Sequence, residues 1–308
     1  MQVHGLLLWR QGFCVGYGLF FLALVPIFGR PDSFMIRHAP IIAKESRYTW
    51  HMKKFTLEED YLGEFVDPVN YDLEVGGDKP SHHFYADLAK QFGGAVLEVA
   101  CGTGLVAIPL AQQGLPVTGM DIVPEMLEQA KRKSEALGLS IRWFQGDARN
   151  FDLSEKFNFI YMTGNAFQAF LNNADQQDLL QNIRNHLTTG GVFAFETRNP
   201  NWEDCSTDLN EAEWMTYTND KGYSVRITET REYDHVAQVL VYNLYRRWKE
   251  EGVDKERITH IAIRYTYPQE LNALLERSGF QILHQYGDWD KSPLTKDSPS
   301  IISVCKLA

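Results

Sequence analysis

The chain has 308 residues, 44% of them hydrophobic, which suits one elaborated domain or a domain with a subdomain. Its 30 basic side chains against 40 acidic ones leave a formal charge of −10, which argues against a nucleic-acid substrate because that partner wants a basic face. Cys14, Cys101, Cys205 and Cys305 show no Cys-x-x-Cys spacing and no clustered histidines, so no metal site or disulfide framework is expected, and a reducing compartment fits.

Gln11 to Phe28 is nearly all apolar and carries no acid or base. That is at the lower edge of a membrane span, which needs about 20 residues. Arg10 precedes it, but no small-x-small cleavage site follows. Met52-Lys-Lys-Phe-Thr-Leu-Glu-Glu-Asp reads like an ordinary cytosolic start. Residues 1–51 are expected to be an apolar extension outside the functional fold, with a membrane anchor or a cleaved segment as alternatives. As an anchor, the segment is followed by Arg30, Arg37, Lys44 and Arg47, which outnumber Arg10 and leave the remainder in the cytoplasm. The expected location is cytoplasmic, and membrane contact is expected only if residues 11–28 act as an anchor.

Residues 55–92 read as two helical pieces, with Pro68 and Gly76-Gly77 as breaks. Strands and helices then alternate: strand 95–100, helix 104–113, strand 116–121, helix 124–138, strand 141–146, strand 157–163, helix 174–187 and strand 191–197. Pro124 suits a first helical turn, and Thr189-Gly190-Gly191 reads as a glycine cap on the helix before it. Such alternation predicts an α/β fold with a doubly wound, mostly parallel Rossmann-like sheet. From about Glu211 the pattern switches to period two, in Ser224–Tyr233, Val239–Trp248 and Arg257–Tyr265. This predicts an antiparallel insertion with one wet face. The expected organisation is a cofactor-binding domain over 52–210, the insertion over 211–267 as a lid or acceptor site, and a C-terminal helix and strands over 268–308 that complete the main sheet. The basic runs Lys131-Arg132-Lys133 and Arg246-Arg247-Trp248-Lys249 read as solvated faces.

The loop after the first strand carries the chemistry. Ala95-Val-Leu-Glu-Val-Ala-Cys-Gly-Thr-Gly104 is a buried strand ending in an acid and breaking into a glycine-rich turn. In open α/β sheets, ligands sit at such carboxyl ends. The spacing Gly102-x-Gly104-x-x-Ala107, with Asp121 downstream, also fits a dinucleotide fingerprint, so an NAD-dependent oxidoreductase is an alternative. A pyrophosphate wants bare backbone N–H groups at a helix N-terminus, and Glu98 beside the loop is unhelpful to it. An ammonium or a sulfonium is helped by the same acid, and S-adenosylmethionine carries both. The next strand ends in Asp121, which can accept both ribose hydroxyls. Ile122 and Met126 are placed to cover an adenine, and Asp147 and Ala148 end a third strand where an adenine edge can be read.

Leu97-Glu98-Val99-Ala100-Cys101-Gly102-Thr103-Gly104, Gly119-Met120-Asp121, Gly146-Asp147-Ala148-Arg149 and Thr163-Gly164-Asn165-Ala166-Phe167 resemble the successive motifs of class I S-adenosylmethionine-dependent methyltransferases. The likeness covers about residues 64 to 306. It is strongest to the small-molecule branch, the sugar-amine and glycine N-methyltransferases. Asn70-Tyr71-Asp72-Leu73-Glu74 resembles their Tyr-Asp segment, and Tyr286–Asp290 and Ser292-Pro293-Leu294 are similar to their tail. The resemblance implies methyl transfer to N or O of a small molecule. It implies donor contacts at Glu98, Ala100, Gly102, Thr103, Gly104, Asp121, Ile122, Met126, Asp147, Ala148, Arg149, Thr163 and Gly164. A catalytically silent donor-binding module is the non-enzymatic alternative.

Methyl transfer needs no metal and no nucleophilic triad. Tyr71 and Asn165 are the candidate catalytic residues, with helix packing and helix capping as their competing roles. Gln168 shares the capping alternative. Arg198 can clamp a carboxylate by its fork of donors or serve an ion pair. His235 and His260 are strand residues that solvent-facing placement explains as well as catalysis does. Cys101 reads as a small packing residue, and Asp288-Trp289-Asp290 either lines the acceptor pocket or caps the sheet edge. The acceptor is expected to be a small molecule, with no nucleic acid bound, and the inserted sheet leaves a homo-oligomer open.

Overall fold

The computed structural model describes residues 61–308; the expectations for residues 1–51 and for residues 55–60 lie outside them. The chain order is a 3-10 turn Leu62–Glu64, α1 (Pro68–Val75), α2 (Pro80–Phe92), β1 (Val96–Val99), α3 (Ala107–Gln112), β2 (Val117–Asp121), α4 (Pro124–Ala136), β3 (Arg142–Gln145) and β4 (Phe157–Met162). There follow a 3-10 turn Ala166–Ala169, α5 (Asn173–His186) and β5 (Leu187–Arg198). The insertion comprises β6 (Asp208–Thr218), β7 (Ser224–Asp234), β8 (Val239–Glu250) and β9 (Val253–Arg264). The chain ends with α6 (Pro268–Arg277), β10 (Phe280–Tyr286) and β11 (Ser300–Leu307).

The main sheet has the order β10-β11-β5-β4-β1-β2-β3. β1 to β5 pair in parallel, and β11 runs antiparallel to both β5 and β10. Strand alternation splits the core. Leu97, Val99, Ile160, Phe193 and Phe195 face Leu179, Ile183, Leu271 and Leu275 of α5 and α6. Val96, Phe159, Tyr161 and Ala194 face Phe84, Tyr85, Leu88 and Leu110 of α2 and α3. The Rossmann-like fold and the antiparallel insertion between β5 and α6 are as the sequence predicts.

Three details differ. The inserted sheet has four strands, β6-β7-β8-β9; β6 is exposed along most of its length, so it carries no apolar alternation to reveal it. Thr189-Gly190-Gly191 does not cap α5, which ends at His186. Gly190 (φ +83°) instead lies within β5, beside the register shift between Phe157 and Phe159, a bulge position that favours glycine. Pro68 starts α1 rather than breaking it, with the Asp67 carboxylate accepting from the Asn70 N–H at 3.3 Å as an N-cap.

Candidate active site

Two adjoining cavities of about 270 Å³ each open at the carboxyl ends of the central strands. They share Tyr71, Ala100, Gly102, Thr163 and Gly164 in their walls, so Tyr71 of α1 stands where they join. This is where an open parallel sheet leaves room, because the loops after its strands diverge on either side.

The first cavity is polar. Glu98, at the tip of β1, is 1% exposed and accepts the Ala107 N–H at 2.9 Å. Burial pushes its carboxyl up to about 8, against a lowering by the Ala107 N–H and by the nearby Tyr161 hydroxyl. Glu196, near the end of β5, is 3% exposed. It accepts the Asn165 N–H at 3.2 Å and the Tyr85 hydroxyl. Burial pushes Glu196 up to about 7. Lys79 and His82 of the second helical segment line the same cavity, and burial lowers both pKa values. Trp289 closes one side, edge-on to Phe84 and Tyr85.

The second cavity is more apolar, lined by Leu62, Phe65, Met120, Ile122, Met126, Ala148 and Phe170 among others. Asp121 lies in its wall, 7% exposed. Its two carboxylate oxygens accept the Gly102 N–H at 2.7 Å and the Val123 N–H at 2.9 Å. Each oxygen keeps a second lone pair. Burial raises the Asp121 pKa, opposed by those backbone donors. Asp147 is held by Arg149, whose Nε donates at 3.0 Å and Nη2 at 2.6 Å; Arg149 also reaches Asp175 at 3.2 Å. Arg149 thus lowers the Asp147 pKa.

The backbone of this site is shaped for a close neighbour. Gly102 (φ +53°) and Gly164 (φ +69°) line both cavities, and a Cβ at either would meet nothing within 4 Å. Ala100 (φ +56°) and Asn165 (φ +58°) hold the same left-handed region without being glycine, a strain that tends to gather at functional sites. The Asn165 Oδ1 is buried and has no hydrogen-bond partner among the described residues. Nor does any described ion pair reach Glu98, Glu196 or Asp121. Open glycine backbone, an orphaned acceptor and buried acids without counter-ions fit a ligand that is cationic and rich in donors.

Of the residues singled out from sequence, Glu98, Ala100, Gly102, Thr103, Asp121, Ile122, Met126, Asp147, Ala148, Arg149, Thr163, Gly164, Tyr71 and Asn165 all line the paired cavities. Gly104 does not. A Cβ there would stand 2.8 Å from the Trp143 ring and 3.1 Å from Ile108, so this glycine serves the packing of α3 and β3. Gln168 is structural: its side chain donates to the Arg264 carbonyl at 3.1 Å and accepts the Arg198 N–H at 3.2 Å. Arg198 faces a separate cavity of about 260 Å³ on the inserted sheet, with Tyr242, Glu229 and Arg231. His235 is exposed beside Tyr233, and His260 bonds Asn243 at 2.8 Å; neither lines these three cavities. Cys101 is buried and free. Sequence reasoning missed Glu196, Lys79 and His82. Glu196 had a usable signal, since Val192–Phe195 is another apolar strand ending in an acid. Arg246 is the clear error among the basic runs: it is buried, 3% exposed, in an ion-pair cluster.

A family model described as a methyltransferase domain matches residues 96–191, from the first strand into the fifth. The chain carries an S-adenosylmethionine-dependent methyltransferase domain. The methyltransferase is 25% identical over 244 residues to a glycine/sarcosine N-methyltransferase of Parasynechococcus marenigrum, covering 76% of this chain and 80% of that one. It is 25% identical over 254 residues to the glycine/sarcosine N-methyltransferase of Halorhodospira halochloris, covering 80% and 89%. In fold, it superposes on an S-adenosylmethionine-dependent methyltransferase from Clostridium acetobutylicum with a TM-score of 0.66, at 20% identity over 80% of this chain and 98% of that one. The CcbJ methyltransferase from Streptomyces caelestis gives the same score at 22% identity, over 79% and 98%. S-adenosylmethionine is therefore the cofactor, and the alternatives of a nicotinamide enzyme and a silent binding module gain no support. Among the described residues, no helix is long and apolar enough to cross a membrane.

Proposed function

We propose that the methyltransferase transfers its methyl group to the nitrogen of a small amine, with the donor lying across the two joined cavities and Tyr71 at the reacting centre. The observation that carries this reading is the junction itself. A polar cavity with buried, uncompensated acids meets an apolar cavity walled by Asp121, and one tyrosine borders both. In this reading Asp121 accepts the ribose hydroxyls, while Ile122, Met126 and Ala148 enclose the base. Asp147, already tied to Arg149, fixes the rim beside that base. Glu98 and Glu196 balance positive charge in the polar cavity, and Lys79 and His82 receive a carboxylate. Gly102 and Gly164 let the backbone come close.

When bound, S-adenosylmethionine supplies an already activated methyl group, so the chain's own task is alignment and exclusion of water. Tyr71 is packed edge-on to Phe65 at 6.0 Å, which fixes its ring over the junction. The orphaned Asn165 Oδ1 is placed to accept from an acceptor N–H. An amine must be neutral to react, and Glu196, pushed up to about 7, is suited to take its proton near neutral pH. The kinship with glycine/sarcosine N-methyltransferases supports nitrogen over oxygen. The three described cysteines are free, which supports a reducing, cytoplasmic setting.

Titration with S-adenosylmethionine and S-adenosylhomocysteine, followed by a methyl-transfer screen over small amines, hydroxy acids and sugars with product masses measured, tests the reading. Micromolar binding of both ligands and a 14-dalton gain on an amine are expected. A folded protein that binds neither ligand would overturn the donor assignment, and methylation confined to hydroxyls would overturn the choice of nitrogen.

A further inference from the structure

Arg246 lies at the middle of β8, yet its side chain is 4% exposed. Its guanidinium is fully occupied. Nε and Nη2 donate to the two oxygens of Glu74 at 2.8 Å each. Nη1 donates to Glu64 at 3.0 Å and to Thr259 at 2.7 Å, and Nη2 also reaches Glu64. Glu64 closes the 3-10 turn Leu62–Glu64, and Glu74 sits in the last turn of α1. One side chain of the inserted sheet therefore grips both ends of the segment 62–75.

Among the described residues, none of the three hydrophobic clusters draws a member from that segment. α1 contains no buried residue. Its remaining anchors are polar: Arg257 donates to the Gly63 carbonyl at 2.9 Å and to Asp67 at 3.2 Å, and Asn70 and Asp220 bond reciprocally. On the other side, Asp72 accepts from Lys133 at 2.8 Å and from Thr103 of the glycine loop. The same segment delivers Leu62 and Phe65 to the apolar cavity, Val75 to the polar one, and Tyr71 to both.

We propose that Arg246 is a positioning residue for the donor: by holding Glu64 and Glu74 it fixes the strap 62–75, and with it Tyr71, over the joined cavities. The inserted sheet then serves donor retention, a role separate from any contact with the acceptor. The inference rests on the donor assignment made above. A lysine replaces this arginine only in part, because its ammonium has three donors where the guanidinium uses five in a fixed fork.

The test uses the full chain with S-adenosylhomocysteine as the probe. Arg246→Met should raise its dissociation constant at least tenfold and speed its release, with amide exchange rising over 62–75. Arg246→Lys should recover only part of the loss. The control is Arg247→Met, one residue along on the opposite face and paired with Glu256 at 2.7 Å; it should bind the probe as the wild type does. Removing Arg246 leaves two buried acids unpaired and can unfold the protein, so Glu74→Gln provides a gentler variant and should weaken binding severalfold. Wild-type affinity in a folded Arg246→Met protein, or in Glu74→Gln, would overturn the proposal. Failure of the wild type itself to bind the probe would instead remove the donor assignment.

Discussion

Glu98 and Glu196 lie on one face of the central sheet, with Tyr161 of β4 between their strands, and both line the polar cavity. Each is buried by more than nine-tenths, and the charge of Glu196 raises the pKa of Glu98. Two buried acids cannot both ionise cheaply without a cation nearby. A sulfonium supplies one such cation beyond the ammonium, which donor and demethylated product share. Binding of S-adenosylmethionine near pH 7 should therefore release protons, and its affinity should climb from pH 6 to pH 8 more steeply than that of S-adenosylhomocysteine. Calorimetry in buffers of different ionisation heat counts the protons. Equal pH slopes for the two ligands would defeat this account.

The same shifts run against stability in the unliganded protein. A carboxyl raised on folding from an ordinary 4.5 to about 8 keeps a proton that the unfolded chain has already lost. Its contribution is whole below about pH 4.5 and declines as pH rises toward 8. The thermal midpoint without ligand should fall across that window. Glu98→Gln should flatten the fall, and an unchanged slope in that variant would place its origin elsewhere.

Gly102 and Gly104 share one loop and both have positive φ, at +53° and +77°, yet they face different things. A side chain at either costs about 1–2 kcal/mol for the left-handed backbone. At Gly104 the new Cβ also meets Trp143 at 2.8 Å, adding about 1–3 kcal/mol of overpacking. At Gly102 it meets only the cavity. Gly104→Ala should show the larger drop in melting temperature, and Gly102→Ala the larger loss of S-adenosylhomocysteine affinity, tenfold or more. Thermal shift and calorimetry on both variants settle the order; the reverse order would overturn this division of roles between the two glycines.

What the sequence revealed follows the range of each cause. Glu98 and Asp121 were legible because an apolar strand that ends in an acid before a turn is a local pattern, complete within a few residues. Glu196 carries a blurred form of that pattern, because its strand runs on to Arg198 instead of turning at the acid. Gly104 looked like a ligand glycine because its real neighbour, Trp143, belongs to another strand. Arg246 was out of reach altogether. Its burial depends on Glu64 and Glu74, which are 182 and 172 residues away in the chain, and no local period encodes such a meeting. β6 escaped because a strand exposed on both faces has no hydrophobic alternation to show.

Asp121 already accepts two backbone N–H groups, from Gly102 and Val123, and these hold the glycine loop against the second strand. In the proposed donor placement, its remaining lone pairs accept the ribose hydroxyls. Asp121→Ala loses both sets, so loop order and ligand bonds should fall together. Charge-assisted bonds are worth about 1.5–3 kcal/mol, so S-adenosylhomocysteine affinity should drop roughly ten- to a hundredfold. Asp121→Asn keeps an acceptor oxygen and should lose less. Calorimetry that finds all three proteins equal would remove Asp121 from the ligand site.

Tyr71 offers the sharpest separation of packing from chemistry. Burial, with Asp121, Asp72, Glu64 and Glu98 around it, pushes its hydroxyl up to about 12. It is therefore neutral at any working pH; it can donate a hydrogen bond but cannot serve as a base. Tyr71→Phe keeps the ring against Phe65 and should bind S-adenosylhomocysteine within about threefold of wild type. It should nonetheless lower kcat at least tenfold on the acceptor found in the methyl-transfer screen, since an aligned donor at the reacting centre is missing. The wild-type pH–rate profile should show no basic limb from this hydroxyl below about pH 10. Tyr71→Ala, which also empties the junction, should lose affinity and rate together. An unchanged kcat in Tyr71→Phe would reduce this residue to a wall of the cavity.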